Sequence, residues 1–574
     1  MLAASPHRGT ELTAHACGRV TLGVSNDAAR RDTTLAVQPD AAAVFCGVLD
    51  NAQALNAELR RAGVDVADET PAATVMSAFR TWGATSVERL RGVFGGAFVA
   101  GDEIVVFRDH VGFGTAFWGK RAAGFVAATE AKQVSVALGK PHEPDLEAVE
   151  DIFFGRLAEQ RTALLGVERL PRASLARSGR GTISVERYWH PDALVESAQL
   201  SLDEACEGFL VHFDEAVART LTGRDVLLLS GGIDSPAIAA LAAPEYEPRF
   251  GRGLAALTAV YPDQPSVDER RYVDAIVAQL GMPLHTYVPE ARPLDDVERW
   301  VTLTDGPVDT LSIPESAECY RLSRDLGAVS VLTGELAEYV FTISAHLAGH
   351  LALHRRWRAL AAWARALRAT GRPWSAVARR AAPSLAPAFV AGRYTRLLRR
   401  DRRFLPGWID PAQVGGLGRR RDLERRARDR WTEAQLDALR GASITVEADA
   451  LCAASLGVHV RRPFADVDLW EFALSLPAET KFPDLVPKSL IRRALRGRLP
   501  DLILDRKDKT AFDAHTLAGA DYDALRKWII DGEYRVSGVD YRRLEERLDR
   551  RDFGVMELMW ANDLARVHAF VLRS

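Results

Sequence analysis

The 574-residue chain has only five cysteines, Cys17, Cys46, Cys206, Cys319 and Cys452, spread far apart with no Cys-x-x-Cys pair. That spacing argues against a disulfide framework and against a cysteine zinc site, and it suits a reducing cytoplasm. No apolar run reaches 18 residues, so no membrane span is expected. The opening Met1-Leu-Ala-Ala-Ser-Pro-His-Arg8 lacks the long apolar stretch of a secretion signal, and no repeat or low-complexity segment interrupts the chain. Lysine is scarce too, because nearly all the basic residues are arginine. What remains is ordinary globular composition, 47% hydrophobic and 26% charged, at a length that predicts two to four domains. The net charge of -3 conceals an asymmetry. Between Arg355 and Arg430, 21 arginines stand against five acids, so a basic segment rides on an acidic body. It reads either as a docking patch for an anion or as a solvated helical face. No nucleic-acid-binding fold signature accompanies it, so no specific nucleic acid partner is expected.

From Arg19 to about Val185 the pattern is short β-type runs: Val20-Thr-Leu-Gly-Val, Ala43 to Leu49, Gly96 to Val99, Ile104 to Phe107 and Gly124 to Thr129. One helix, near Ala52 to Ala62, interrupts them. This predicts a mainly antiparallel α+β domain over 1–195. A second domain over 200–574 begins with a helix (Glu204 to Leu221) and then alternates strands with helices. The strands are Val226 to Leu229, Leu254 to Val260, Leu284 to Val288 and Ala328 to Leu332. Such alternation predicts βαβ units and a parallel sheet with its ligand at the carboxyl ends of the strands. Residues 345–440 read as a helical, Arg-rich insert broken by Pro373, Pro383, Pro387 and Pro406, and helices follow to the end.

The first of these strands ends in Ser230-Gly-Gly-Ile-Asp-Ser235, with Pro236 where the first turn of a helix accepts proline. Two glycines let the backbone curl close to a ligand. The exposed N–H groups and the helix N-terminus then form a nest for phosphate oxygens, to which Ser230 and Ser235 add hydroxyls. Asp234 would repel a phosphate unless a divalent cation lay between, which points to Mg²⁺. No Gly-Lys-Ser/Thr follows, so the loop is not of the Walker type.

Ser230 to Ser235 resembles the pyrophosphatase loop, Ser-Gly-Gly-x-Asp-Ser, of enzymes that adenylate a substrate with ATP. Within that group the chain resembles the asparagine synthetase superfamily almost end to end. Phe45-Cys-Gly-Val-Leu-Asp-Asn51 is similar to the family's Phe-Asn-Gly-Glu-Ile-Tyr-Asn. Arg108-Asp-His-Val-Gly112 and Ala128-Thr-Glu-Ala-Lys132 match two further N-terminal motifs, with Tyr188-Trp189 closing the domain. Thr333-Gly-Glu-Leu-Ala-Glu-Tyr-Val-Phe341 resembles Ser-Gly-Glu-Gly-Ala-Asp-Glu-Leu-Phe, and Arg462-Pro-Phe-Ala-Asp466, Leu499-Pro500 and Lys509-Thr-Ala-Phe512 resemble later elements. The resemblance implies a glutaminase-like (Ntn-type) α+β domain followed by an adenine-nucleotide α-hydrolase-like parallel sheet. It implies ATP and Mg²⁺ as co-substrate and cofactor, with Ser230, Gly231, Gly232, Asp234, Ser235 and Val260 at the ATP and pyrophosphate. It makes Glu335 the base that deprotonates the attacking amine and puts Glu338 with Asp234 on the metal. Lys509 becomes the cation that offsets charge on the phosphates, with Lys507 as an alternative because the spacing from Arg506 is one residue long.

The departures carry information as well. Glutamine-using relatives begin with a cysteine nucleophile beside an Asn-Gly oxyanion hole. Here Leu2 follows Met1, and Cys46 replaces the asparagine. No glutaminase activity is therefore expected, and the amine comes from the substrate. Leu336 replaces a glycine, and Glu338 is one methylene longer than the family's aspartate. Among the branches that lack the cysteine are β-lactam synthetases and lasso-peptide macrolactam synthetases. The long insert, with Leu405-Pro-Gly-Trp-Ile-Asp-Pro411, resembles the second. The tryptophans Trp357, Trp363, Trp374 and Trp408 are candidates for a peptide wall or for helix packing. That branch implies a leader-free precursor peptide as substrate, cyclised from its N-terminal amine to an Asp or Glu side chain. It also implies a leader peptidase and a leader-recognition protein as partners. A small-molecule amide ligase of the β-lactam synthetase type and an inactive scaffold of a maturation complex are the alternatives.

Overall fold

The computed structural model describes residues 1–26, 32–122, 124–179, 182–308, 313–344, 346–369, 373–385, 405–415, 429–437, 439, 444–483, 486–506 and 510–573. In the N-terminal part a six-stranded antiparallel sheet runs in the order Thr182–Arg187, Ser174–Gly179, Glu103–Arg108, Gly92–Ala100, Ala41–Leu49, Thr33–Val37. Alternate residues of the central strands face one side, as the period of two requires. Phe45, Phe94, Phe98 and Phe107 thereby meet Phe79 from a covering helix. Two helices cover that face, Ala52–Arg61 and Pro71–Trp82, where one was expected. The second has Ala72 to Met76 buried together with Ala78 and Phe79. With so little polar face, the helical period is not visible in the sequence. Gly47 lies at φ 115°, and a Cβ there would stand 2.1 Å from the Val93 carbonyl oxygen, so the close pairing of these strands needs glycine.

The synthetase sheet has five parallel strands: β1 (Asp225–Leu228), β2 (Ala255–Ala259), β3 (Leu284–Tyr287), β4 (Ser330–Leu332) and β5 (His459–Arg461), in the order β3-β2-β1-β4-β5. The first four fulfil the expectation. The fifth, three residues long, presents no apolar run and is defined only by its register against β4, Ser330 opposite His459. Strand order reverses beside β1. The loops that follow β1 and β4 therefore flank the crevice where ligands of open α/β sheets bind.

The N-terminal motifs turn out to hold the two parts together. Buried Arg108 bonds the Gly114 and Leu170 carbonyls, both at 2.7 Å, and the Glu447 carboxylate at 2.5 Å, which Arg169 also grips. Lys132 reaches the Leu303 carbonyl at 2.7 Å, and its backbone N–H donates to Asp305 at 2.8 Å. Burial pushes the Asp305 carboxyl up to about 7 against the pull of Lys132. Asp50 pairs with Arg461 of β5, and the Trp189 indole donates to Glu471 at 2.8 Å.

Within the insert the described helices are Leu347–Leu353, Trp357–Ala369, Trp374–Leu385 and Arg430–Asp437. Residues 386–404 and 416–428, with many of its arginines, lie outside the described residues. The tryptophans divide evenly. Trp363 and Trp408 are buried in cores, whereas Trp357 and Trp374 are exposed. Among the described residues no helix is long and apolar enough to cross a membrane.

Candidate active site

The loop after β1 folds as a tight turn into the helix Asp234–Phe250. The Ser235 hydroxyl accepts from the Ser230 N–H at 3.0 Å and lies 3.1 Å from the Ser230 Oγ. Of the two glycine nest donors, the Gly232 N–H makes only a long bond to Ser230 Oγ at 3.4 Å, and the other is fully taken. The Gly231 N–H donates to Glu269 at 2.8 Å, because Arg506 (2.9 Å) and Thr510 (2.7 Å) hold that carboxylate in place, and Arg506 also bonds the Gly231 carbonyl at 2.7 Å. Gly232 and Ser230 are exposed and remain the accessible part of the turn. Val260 is buried, its N–H donating to the Tyr287 carbonyl at 2.9 Å, and the neighbouring Tyr261 lines the cleft instead.

The loop after β4 packs directly on this turn. A Cβ at Gly334 would stand 2.4 Å from the Ser235 nitrogen, so only glycine allows the contact. Glu335 and Glu338 thereby line the same cleft as Ser230, Asp234 and Ser235. Leu336 keeps the left-handed conformation at φ 74°, in the position where glycine is the family's residue, at a cost of roughly 1–2 kcal/mol. Its side chain is buried. The Glu335 side chain is 52% exposed toward the cleft, and its Oε2 accepts from Arg462 Nε at 2.7 Å and Thr333 Oγ1 at 3.3 Å. Arg462 is in turn paired with buried Asp449, which takes the Tyr320 hydroxyl at 2.7 Å. The base candidate therefore has one oxygen fixed, and its other oxygen has no hydrogen-bond partner among the described residues.

Asp234 pairs through Oδ2 with Lys488, which stands at φ 61° just before the helix Ser489–Ala494. Burial pushes the Asp234 carboxyl up, Lys488 pulls it back, and nearby Glu338 raises it further. Asp234 Oδ1 is buried with no hydrogen-bond partner among the described residues. An orphaned carboxylate oxygen beside a second carboxylate is the oxygen donor set that suits Mg²⁺, so the residues present fit that ion. Sequence reasoning missed Lys488. Its signal was the scarcity of lysine itself, since Pro487-Lys488-Ser-Leu-Ile-Arg492 holds one of very few lysines in the chain. Lys509 and its alternative Lys507 lie outside the described residues; Arg506 and Thr510, on either side of them, both anchor on Glu269 beside the phosphate turn.

The cleft encloses about 1100 Å³. One wall is built by Tyr261, Tyr287 and Cys319. The Tyr287 hydroxyl and Cys319 sulfur stand 2.8 Å apart, and burial pushes that thiol up to about 11, so it is no nucleophile at neutral pH. The far wall comes from the C-terminal region, with Phe512, His515, Met559 and Arg566. In the N-terminal domain Cys46 Sγ receives Arg8 Nη1 at 3.3 Å and lies 3.7 Å from Thr33 Oγ1. Ser5, His7 and Arg8 all converge on buried Glu130.

A glycine phosphate turn and a facing carboxylate loop at the switch point of a parallel sheet define an ATP-dependent ligase site. Comparison with known proteins gives the family. The model described as Asparagine synthase matches residues 209–551, and that described as Glutamine amidotransferase domain matches residues 3–189. The chain belongs to the asparagine synthase family. It is 25% identical over 498 residues to the glutamine-hydrolyzing asparagine synthetase 3 of Bacillus subtilis (strain 168), covering 81% of this chain and 74% of that one. It is 30% identical over 214 residues to a putative glutamine-hydrolyzing asparagine synthetase of Mycobacterium bovis, covering 35% of this chain and 32% of that one.

Proposed function

We propose that the chain is an ATP-dependent macrocyclase that closes a lasso-type macrolactam on a leader-free precursor peptide. The observation that carries this reading is the cleft. At about 1100 Å³ it exceeds the usual volume of a pocket for one drug-sized ligand, and it extends from the phosphate turn and Glu335 to a wall of Phe512, His515 and Met559. That leaves room for a peptide segment beside the nucleotide. Leu2 and Cys46 add support, because a glutaminase site in which they replace the thiol and the amide donor leaves the substrate's own amine as the nitrogen source.

The reaction balances as follows. An Asp or Glu side-chain carboxylate of the peptide attacks the α-phosphorus of ATP, the α–β phosphoanhydride breaks and pyrophosphate leaves. The peptide's N-terminal amine then attacks the acyl carbon, AMP leaves with the bonding pair, and the amine proton passes to the free oxygen of Glu335. Ser230, Ser235 and the Gly232 N–H orient the β and γ phosphates. Lys488 and Lys509 offset the charge that builds on the phosphates. Asp234 and Glu338 would hold Mg²⁺, which when bound screens the phosphates from those carboxylates. An α-amine has a pKa of about 7.7–8.0, so a carboxylate base needs only modest driving force. A tethered amine reaches effective concentrations on the order of 10⁵ M when well oriented, which lets closure outrun hydrolysis. A leader peptidase and a leader-recognition protein would supply the peptide.

Replacing the acceptor Asp or Glu of the precursor peptide by Asn or Gln tests this. Peptide-dependent release of AMP and pyrophosphate is expected with the native core and none with the substituted one. Release of ADP, or equal turnover with both peptides, overturns the proposal.

A further inference from the structure

We propose that His350, His354 and Asp429 form a site for a divalent transition-metal ion of the zinc type, placed where the insert meets the segment joining the two domains. His350 and His354 are four residues apart along the helix Leu347–Leu353 and its C-cap, so both rings project from one face. The ligating atoms of the three residues lie within 4.8 Å of one another. Asp429 Oδ2 is 2.7 Å from His350 Nδ1 and 2.9 Å from His354 Nε2. Ligands on a tetrahedral zinc with bonds of about 2.0–2.1 Å stand about 3.4 Å apart. A widening of roughly 0.5–0.7 Å therefore brings both aspartate–imidazole contacts to the spacing of a coordination shell.

The surroundings carry the inference further than proximity alone. Asp429 Oδ1 is held by the backbone N–H groups of Trp431 (3.1 Å) and Thr432 (3.4 Å), which leaves Oδ2 turned to the rings. His350 Nε2 lies 3.0 Å from the Glu196 carboxylate, which Ala478 N (2.9 Å) and Arg356 Nη2 (2.8 Å) hold. A carboxylate taking the distal N–H of a histidine fixes its tautomer and aims its other nitrogen, one of the arrangements, with backbone carbonyls and water, found behind metal-bound histidines. The His350 ring is buried, whereas His354 is 45% exposed, so the outer side stays open for a water as fourth ligand. Two imidazoles and one carboxylate select a zinc-like ion over the oxygen-seeking Mg²⁺ that suits Asp234. Glu196 belongs to the interdomain segment, and its neighbours pair with the synthetase part, Ala198 N donating to the Ser475 carbonyl at 2.9 Å. A bound ion would pin the helices Leu347–Leu353 and Arg430–Asp437 to each other and, through His350, to that segment.

The test uses the untagged full chain, stripped with a chelator and titrated with zinc alone in a competition assay. One equivalent should bind at micromolar concentration or tighter and raise the melting temperature until one equivalent is reached. His354→Ala removes a half-exposed ligand without opening a core, and Asp429→Asn keeps the capping oxygen. Each should weaken zinc binding at least tenfold. No zinc binding by the native chain, or undiminished binding in either variant, overturns the proposal and leaves the cluster held by protons.

Discussion

Glu335→Gln separates the two half-reactions. Glutamine keeps the size and offers an amide oxygen to Arg462 Nε, which now meets Glu335 at 2.7 Å, while Asp449 continues to neutralise the guanidinium. The variant should therefore fold, losing at most the roughly 1.5–3 kcal/mol of one charge-assisted bond, at a half-exposed site that discounts it further. Adenylation does not use this carboxylate and should change less than about threefold. Amide formation loses its base, and positioned bases contribute about 10²–10⁴-fold, or roughly 3–5 kcal/mol at 1.36 kcal/mol per decade. The deficit should also shrink with pH. An amine of pKa about 7.7–8.0 is roughly one-tenth unprotonated at pH 7 and nearly all so at pH 9, which returns close to tenfold without enzymatic help. ATP–pyrophosphate exchange reports the first step and amide product the second. Equal losses in both would refute the reasoning and move Glu335 to nucleotide or metal binding.

Gly334→Ala should cut ATP–pyrophosphate exchange by about 10²-fold or more, because the new Cβ would stand 2.4 Å from the Ser235 nitrogen and push the phosphate turn out of register; native exchange rates in the variant would contradict this. Added glutamine should release no glutamate, since Leu2 and Cys46 stand where the required thiol and amide donor would be, and an enzymatic glutamate assay above background would show the N-terminal domain to be active. Burial holds the Lys481 ammonium down at about 8 from 10.5, with Glu196 opposing. The unfolded chain thus binds the extra proton between pH 8 and 10.5, and stability rises with pH across that window. Lys481→Met should raise stability at pH 7 by up to about 3 kcal/mol, with the gain fading toward pH 10.5; denaturation midpoints that shift equally at pH 7 and pH 10 would remove the argument.

The site was legible where its chemistry is local. Ser230 to Ser235 and Thr333 to Glu338 each carry their meaning in a few consecutive residues, and the βαβ alternation placed them at neighbouring strand ends. Contacts that span the chain were not legible. Lys488 meets Asp234 across 254 residues, Arg462 reaches Glu335 across 127, and Glu269 closes on Gly231 from a helix start that looks like any other. β5 and the helix Pro71–Trp82 were missed for opposite reasons, one being too short to show a pattern and the other too buried to show a polar face. The N-terminal motifs carry a family resemblance in the sequence but no role. In the structure Arg108, Lys132 and Trp189 bind the synthetase part, a role for them that does not depend on a working thiol.

The central claim is that an amine and a carboxylate of one peptide are joined here at the expense of ATP. Its most direct test is the mass of a leader-free candidate precursor peptide after incubation with the full chain, ATP and Mg²⁺. The account predicts loss of one water, with fragmentation placing the bond between the N-terminal amine and an Asp or Glu side chain. An unchanged peptide mass, with a small β-amino acid converted to a lactam instead, would contradict it.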